Sequence, residues 1–172
     1  MPTTAAPIIP LKEFDREMET TRHLIERVPN DKAQWKPHPK SFALGHLAQL
    51  VCWIPGWIAD TLRQPFMDIT GGGKSGGYSI QQTDALLEML DNNVRDAHAA
   101  VEQVTGAALD EPWSLKMGDT VVFTEIRGEA VRTHLSHLIH HRGQLSVYLR
   151  LVDVPLPQIY GPTADDRGFL KS

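Results

Sequence analysis

Along four long stretches of this chain, apolar residues recur every three or four positions, the spacing that collects them on one face of an α-helix. Between Leu11 and Val28 that stripe is Leu11, Phe14, Met18, Leu24, Ile25 and Val28, set among Glu, Arg and Thr. Pro29-Asn30-Asp31 ends it, and Pro37 and Pro39 keep the next segment irregular. Ser41 is placed to cap a second helix, predicted from about Phe42 to Arg63. A kink or break is expected at Pro55, which removes one backbone hydrogen bond and crowds the preceding turn.

The glycine-rich run from Gly71 to Gly77 predicts a mobile loop, because it has little side-chain surface to pack. A third helix is expected from Ser79 or Ile80 to about Val104, with Leu86, Leu87, Leu90, Val94, Ala97 and Val101 as its buried stripe and Gly106 as its stop. The β-prone Thr120-Val121-Val122-Phe123 allows a short hairpin before a fourth helix from about Glu125 to Val152. Pro155, Pro157 and Pro162 then predict an extended tail lying against the helices. Together these elements predict an all-α four-helix bundle with an extended Pro-rich C-terminal tail, in one domain spanning residues 1–172.

Composition narrows the function classes. Of the 172 residues, 17 are basic and 21 acidic, a formal charge of -4, so there is no broad cationic surface for nucleic acid. The most apolar stretch, Val51 to Ala59, is shorter than half a membrane span of roughly 20 residues. The N-terminus lacks the basic and apolar regions of a signal peptide, which predicts a cytoplasmic protein that binds no membrane. Cys52 is the only cysteine, which excludes intrachain disulfides, zinc ribbons and CxxC pairs. Gly73-Lys74-Ser75 imitates a phosphate loop, but that pattern needs a glycine where Asp68 stands.

The eight histidines hold the candidate chemistry, and His134, His137, His140 and His141 all fall on the fourth helix. At 100° per residue, His134, His137 and His141 lie within about 60° of one another, on the face of Leu138, Leu145 and Val152. His140 points roughly 100° away, toward a flank or solvent. The i, i+4 pair His137 and His141 suits two adjacent positions on one ion, whereas His134 and His141 are about 10 Å apart along the axis. The best third ligand is His46, whose helical face continues through Leu50, Trp53 and Trp57; Cys52 lies about 120° from it. Ordinary core histidines are the competing reading, but each buried ring would need its own hydrogen-bond partners.

His137-Leu138-Ile139-His140-His141-Arg142-Gly143-Gln144-Leu145 resembles the HxxHHRGQ signature of the DinB and YfiT-like superfamily. The tail from Val154 to Asp165 is similar to that superfamily's Pro-x-x-Tyr-Gly-Pro-Ser-Ala-Asp, with Thr163 in place of serine, and Gly45-His46-Leu47 looks like its second-helix histidine. The resemblance implies a triad of His46, His137 and His141 on a divalent metal, zinc or nickel first and iron, manganese or copper next. It also implies a homodimer, and in some relatives transfer of a low-molecular-weight thiol.

Three neutral imidazoles leave coordination positions open, as in catalytic sites. The leading reading is therefore a metal-dependent thiol transferase or hydrolase acting on a small electrophile. A non-catalytic, stress-associated, metal-binding homodimeric scaffold is the alternative, and a closed site without an adjoining pocket would favour it. Glu125 and Glu129 lie two or more turns before His137, so no general base is assigned. Arg142, Gln144 and Tyr160 are read as orienting or packing residues, and Trp53 and Trp57 as core or pocket wall.

Overall fold

The computed structural model describes residues 9–70, 78–79 and 82–167; the glycine-rich run from 71 to 77 lies outside them. Helix α1 (Leu11–Ile25) buries Phe14, Met18, Leu24 and Ile25 of its predicted stripe, together with Glu17 and Thr21. Helix α2 (Leu44–Arg63) starts later than predicted, and Ser41 does not cap it. Its first N–H groups are satisfied by main chain instead: Leu44 N donates to Trp35 O and Gly45 N to Ala33 O, both at 2.9 Å. Gly45 permits that approach, since a Cβ there would lie 3.1 Å from Ala33.

α2 runs on through Pro55. Asn93 Nδ2 donates to the Cys52 carbonyl (2.8 Å) in the turn that the proline crowds. Gly56 makes room for that side chain, because a Cβ at 56 would stand 2.9 Å from Asn93 Oδ1. Helix α3 (Thr83–Gln103) supplies Asn93 and packs on α2 through Leu86, Leu90, Ala97 and Val101.

Gly106 opens a short helix, α4 (Gly106–Leu109), rather than ending one, because Thr105 Oγ1 accepts from Ala108 N at its start (3.3 Å). Helix α5 (Arg127–Leu151) packs against α1 and α2. Val154 and Leu156 of the proline-rich tail pack on the same core, and Pro157 is buried.

The expectation of an all-α fold is corrected by a three-stranded sheet. β1 (Phe66–Asp68) pairs parallel with β2 (Pro112–Met117), which pairs antiparallel with β3 (Thr120–Ile126). The hairpin was foreshadowed by Val121 and its neighbours; β1 is three residues long, too short for alternation to be visible. The fold is thus mostly helical with a small sheet beside α2 and α5.

Arg127 locks the end of the sheet to the end of α2. Its buried Nη1 donates to the carbonyls of Thr61, Leu62 and Gln64 at 3.1, 3.1 and 3.2 Å, and Nη2 meets Glu111 at 3.0 Å. A guanidinium at the carbonyls that end α2 also suits the negative end of the helix dipole. Among the described residues no helix is long and apolar enough to cross a membrane.

Candidate functional site

One turn of α5 brings His137 and His141 together, with their Nε2 atoms 2.8 Å apart. His141 Nδ1 lies 2.7 Å from Gln144 Oε1. An amide oxygen only accepts, so His141 carries its proton on Nδ1 and offers a lone pair at Nε2. In the neutral pair His137 Nε2–H donates to that lone pair; moving the His137 proton to Nδ1 would leave two lone pairs on the same point. Burial lowers the pKa of both rings, and nearby imidazoles reinforce this, His141 and His140 for His137 and His140 for His141, while Gln144 opposes it at His141. Both are thereby biased toward the neutral form that binds metal.

His46, in the first turn of α2, sits between the rings of Phe42, stacked at 4.3 Å, and Tyr78. Its Nε2 is buried and has no hydrogen-bond partner among the described residues. Burial and Lys36 lower its pKa. Phe42 also approaches the His141 ring, at 6.4 Å. The structure therefore joins two of the three predicted ligands and leaves the third beside a shared aromatic neighbour. Among the described residues, no three His, Cys, Asp or Glu side chains converge closely enough to hold an ion. The donors themselves fit one: a lone pair set by Gln144, an adjacent imidazole, and a buried nitrogen with no partner.

His134 is occupied elsewhere. Its Nε2 pairs with Thr61 Oγ1 at 3.1 Å, its ring meets Trp57 and Trp113 edge-on, and burial, followed by His137, brings its pKa down to about 4. His140 is exposed, as the helical wheel predicted. Cys52 is fully buried, and burial pushes its thiol far above the range in which it reacts.

Arg142 faces inward, opposite to the histidine pair's concern with ligands. Its Nη2 meets Glu17 Oε2 at 2.6 Å and the Tyr160 hydroxyl at 2.7 Å, and Nη1 donates to Glu17 O at 2.9 Å. The Tyr160 hydroxyl donates to Glu17 Oε2 at 2.8 Å. This cluster ties α1, α5 and the tail together and holds the turn that presents His141.

A cavity of about 590 Å³ lies between α2, α5 and the sheet, with His137 in its wall. Trp57, whose ring centroid is 5.7 Å from that of His137, forms one side. Register places Trp113 opposite Glu125 and Leu115 opposite Phe123, so all four share the sheet face that lines the cavity. The sequence reading missed Glu125, which it judged only by its distance along α5. Strand alternation in Phe123-Thr124-Glu125 was the available signal. Burial, with Glu129 nearby, raises the Glu125 carboxyl above its ordinary range.

No curated protein matches the chain. In fold it is similar to the crystal structure of a DinB-like protein from Bacillus subtilis, with a TM-score of 0.65 and 18% identity, over 92% of this chain and 98% of that one. A DinB-like protein from Bacillus cereus is similar at a TM-score of 0.67 and 18% identity, over 87% of this chain and 95% of the other. The sequence profile of the DinB family matches residues 1–167, and the chain belongs to that family.

Proposed function

We propose that this protein holds one divalent metal ion through His46, His137 and His141 and promotes attack by a thiol or water on a small electrophile in the adjoining cavity. The observation that carries this reading is the His137–His141 pair, 2.8 Å apart at Nε2, with one tautomer set by Gln144 and His137 opening onto a cavity of about 590 Å³. We put zinc or nickel first and iron, manganese or copper next; imidazole donors suit all of these except manganese, which prefers oxygen ligands.

When bound, such an ion lowers the pKa of a coordinated thiol or water and so supplies a nucleophile near neutral pH. The protein's own groups do the rest. Gln144 keeps the His141 ring in register, and Trp57, Trp113 and Phe123 exclude water from the electrophile's apolar part. The same reading has the chain act as a cytoplasmic homodimer, its helices packed as a four-helix bundle, with a low-molecular-weight thiol as co-substrate. A cavity beside His137 favours this over the non-catalytic scaffold, which needs no such space.

The test is elemental analysis of protein purified without chelators, beside His137→Ala. The expected result is metal in the parent chain and a large loss in the variant. Equal metal content in both refutes the ligand set, and no metal together with no uptake refutes the proposal. Thiol transfer to a model electrophile, abolished by chelation and restored by metal, is expected to follow.

A further inference from the structure

The sheet offers the cavity an apolar shelf. Register sets Met67 of β1 beside Leu115 of β2, and Leu115 beside Phe123 of β3, so the three side chains form one row across the face that lines the cavity. Trp57 of α2 lines the same space and meets the His137 ring at 5.7 Å, the two planes 35° apart. Phe123 is 44% exposed, so a large apolar ring stands uncovered in the wall of a space of ligand size.

These rings are fixed from behind. The buried Trp113 packs its ring 6.3 Å from Phe123 and 6.0 Å from His134, and His134 in turn lies 6.0 Å from Trp57. Each separation falls within the range of about 4.5–7 Å at which aromatic pairs attract. Trp57 and Phe123 reach the cavity from different elements, α2 and β3, and two buried rings hold them relative to each other. Walls set in advance cost a ligand less to engage than walls it must order.

Charged and polar groups around this space are committed elsewhere. Asp68 accepts from Thr70 N at 2.8 Å, Thr70 Oγ1 at 2.6 Å and Gly118 N at 3.1 Å, and Lys116 acts on the same carboxylate. Asp60 is engaged as well, and His134 Nε2 pairs with Thr61 Oγ1. Glu125 shares the sheet face with Phe123, and burial, with Glu129 nearby, raises its carboxyl. The space thus disfavours charge even on its own wall.

We infer that the cavity takes an uncharged aromatic molecule, its ring held among Trp57, Met67, Leu115 and Phe123. Ring-to-ring contacts and a thioether at a ring edge favour an arene over a saturated ring of the same size. A charged head would give up its hydration in a space that already disfavours charge. The class so named is that of the electrophile assigned to this cavity, and in that sense it rests on the preceding reading. Because Trp57 adjoins His137, an arene beside it carries its reactive side chain to the histidine end.

The test is isothermal titration calorimetry on the full chain, before and after loading with zinc. The probes are 3-phenylpropan-1-ol, 3-cyclohexylpropan-1-ol, 3-phenylpropylammonium and 3-phenylpropanoate. The saturated ring has the larger apolar surface, so hydrophobicity alone would rank it first. The aromatic alcohol is expected to bind about threefold more tightly than the saturated one and roughly tenfold more tightly than either charged probe. Phe123→Leu and Trp57→Leu should each bring the two alcohols to within about 1.5-fold. Phe123 is exposed, so its variant keeps the fold, which the urea midpoint checks. The inference is overturned by a saturated alcohol or a charged probe that binds as tightly as the aromatic alcohol, by an arene preference that survives both variants, or by no heat from any probe. The preference is read without metal as well as with it. A chain that takes up no zinc yet prefers the arene would refute the metal reading alone, and a zinc-loaded chain without that preference would refute this one alone.

Discussion

Arg142 of α5 and Glu17 of α1 form an ion pair across the core, Nη2 to Oε2 2.6 Å, with side chains 1% and 3% exposed. Every strong partner either group needs is at hand: Thr21 Oγ1 at 3.2 Å and the Glu17 carbonyl for the guanidinium, and the Tyr160 hydroxyl for both. Burying two charges costs several kcal/mol each, and such a pair is kept when its hydrogen bonds are complete. Its value here is positional, since Arg142 directly follows His141.

Breaking that pair from one side leaves a buried charge. Arg142→Met is expected to destabilise the fold by about 3–5 kcal/mol in urea unfolding. The double variant with Glu17→Met should recover most of the loss, because it leaves neither charge behind. A single variant as stable as the parent would show that the pair is not buried in solution.

Tyr160→Phe removes one hydroxyl that donates to Glu17 and accepts from Arg142. The residue is 64% exposed, so little apolar burial changes, and a loss of about 1–2 kcal/mol is expected from the hydrogen bonds. Hydrogen exchange should quicken in the tail near Leu156, whose N–H is held by Asp165 at 2.9 Å. Unaltered exchange there would argue that the tail is fixed by other contacts.

His134 makes the fold sensitive to acid. Its folded pKa is lowered to about 4, against 6.5 for the free ring, chiefly by burial. Between those values the unfolded chain binds more protons. Its stabilising contribution is therefore complete above about pH 6.5 and lost as the pH falls toward 4, by up to about 3 kcal/mol. Urea midpoints measured at pH 7.5 and 4.5 should differ less in His134→Gln than in the parent, and equal differences would contradict the assignment.

Gln144 is exposed, and its side chain meets the site at His141 Nδ1. Gln144→Leu should lower metal affinity by about 10–100-fold, the usual cost of removing a group that orients a metal-binding imidazole. Global stability should shift by less than about 0.5 kcal/mol, as for most surface changes. Competition with a zinc-responsive dye reads the first effect and urea unfolding the second; unchanged affinity would remove Gln144 from the site.

The sequence by itself determined the helices and the histidine pair. A buried stripe at 3.6-residue spacing is a local property, so α1, α2, α3 and α5 were legible to within a few residues. His137 and His141 meet because helix geometry sets i, i+4 neighbours on one side, whatever surrounds them. His140 was excluded and Cys52 set aside by the same rotation, and both placements hold.

Only the tertiary structure decided what lies across from those faces. β1 exists because Phe66–Asp68 finds β2 nearly fifty residues later in the chain, and α2 starts where carbonyls of Ala33 and Trp35 meet it, not where Ser41 offered a cap. Glu125 looked remote from His137 along one helix, yet a strand ending at that helix turns it into the same cavity. Arg142 and Glu17 are separated by 125 positions. Periodicity reports which side of an element turns inward; which partner waits there depends on contacts between distant segments, whose pairing no local spacing encodes.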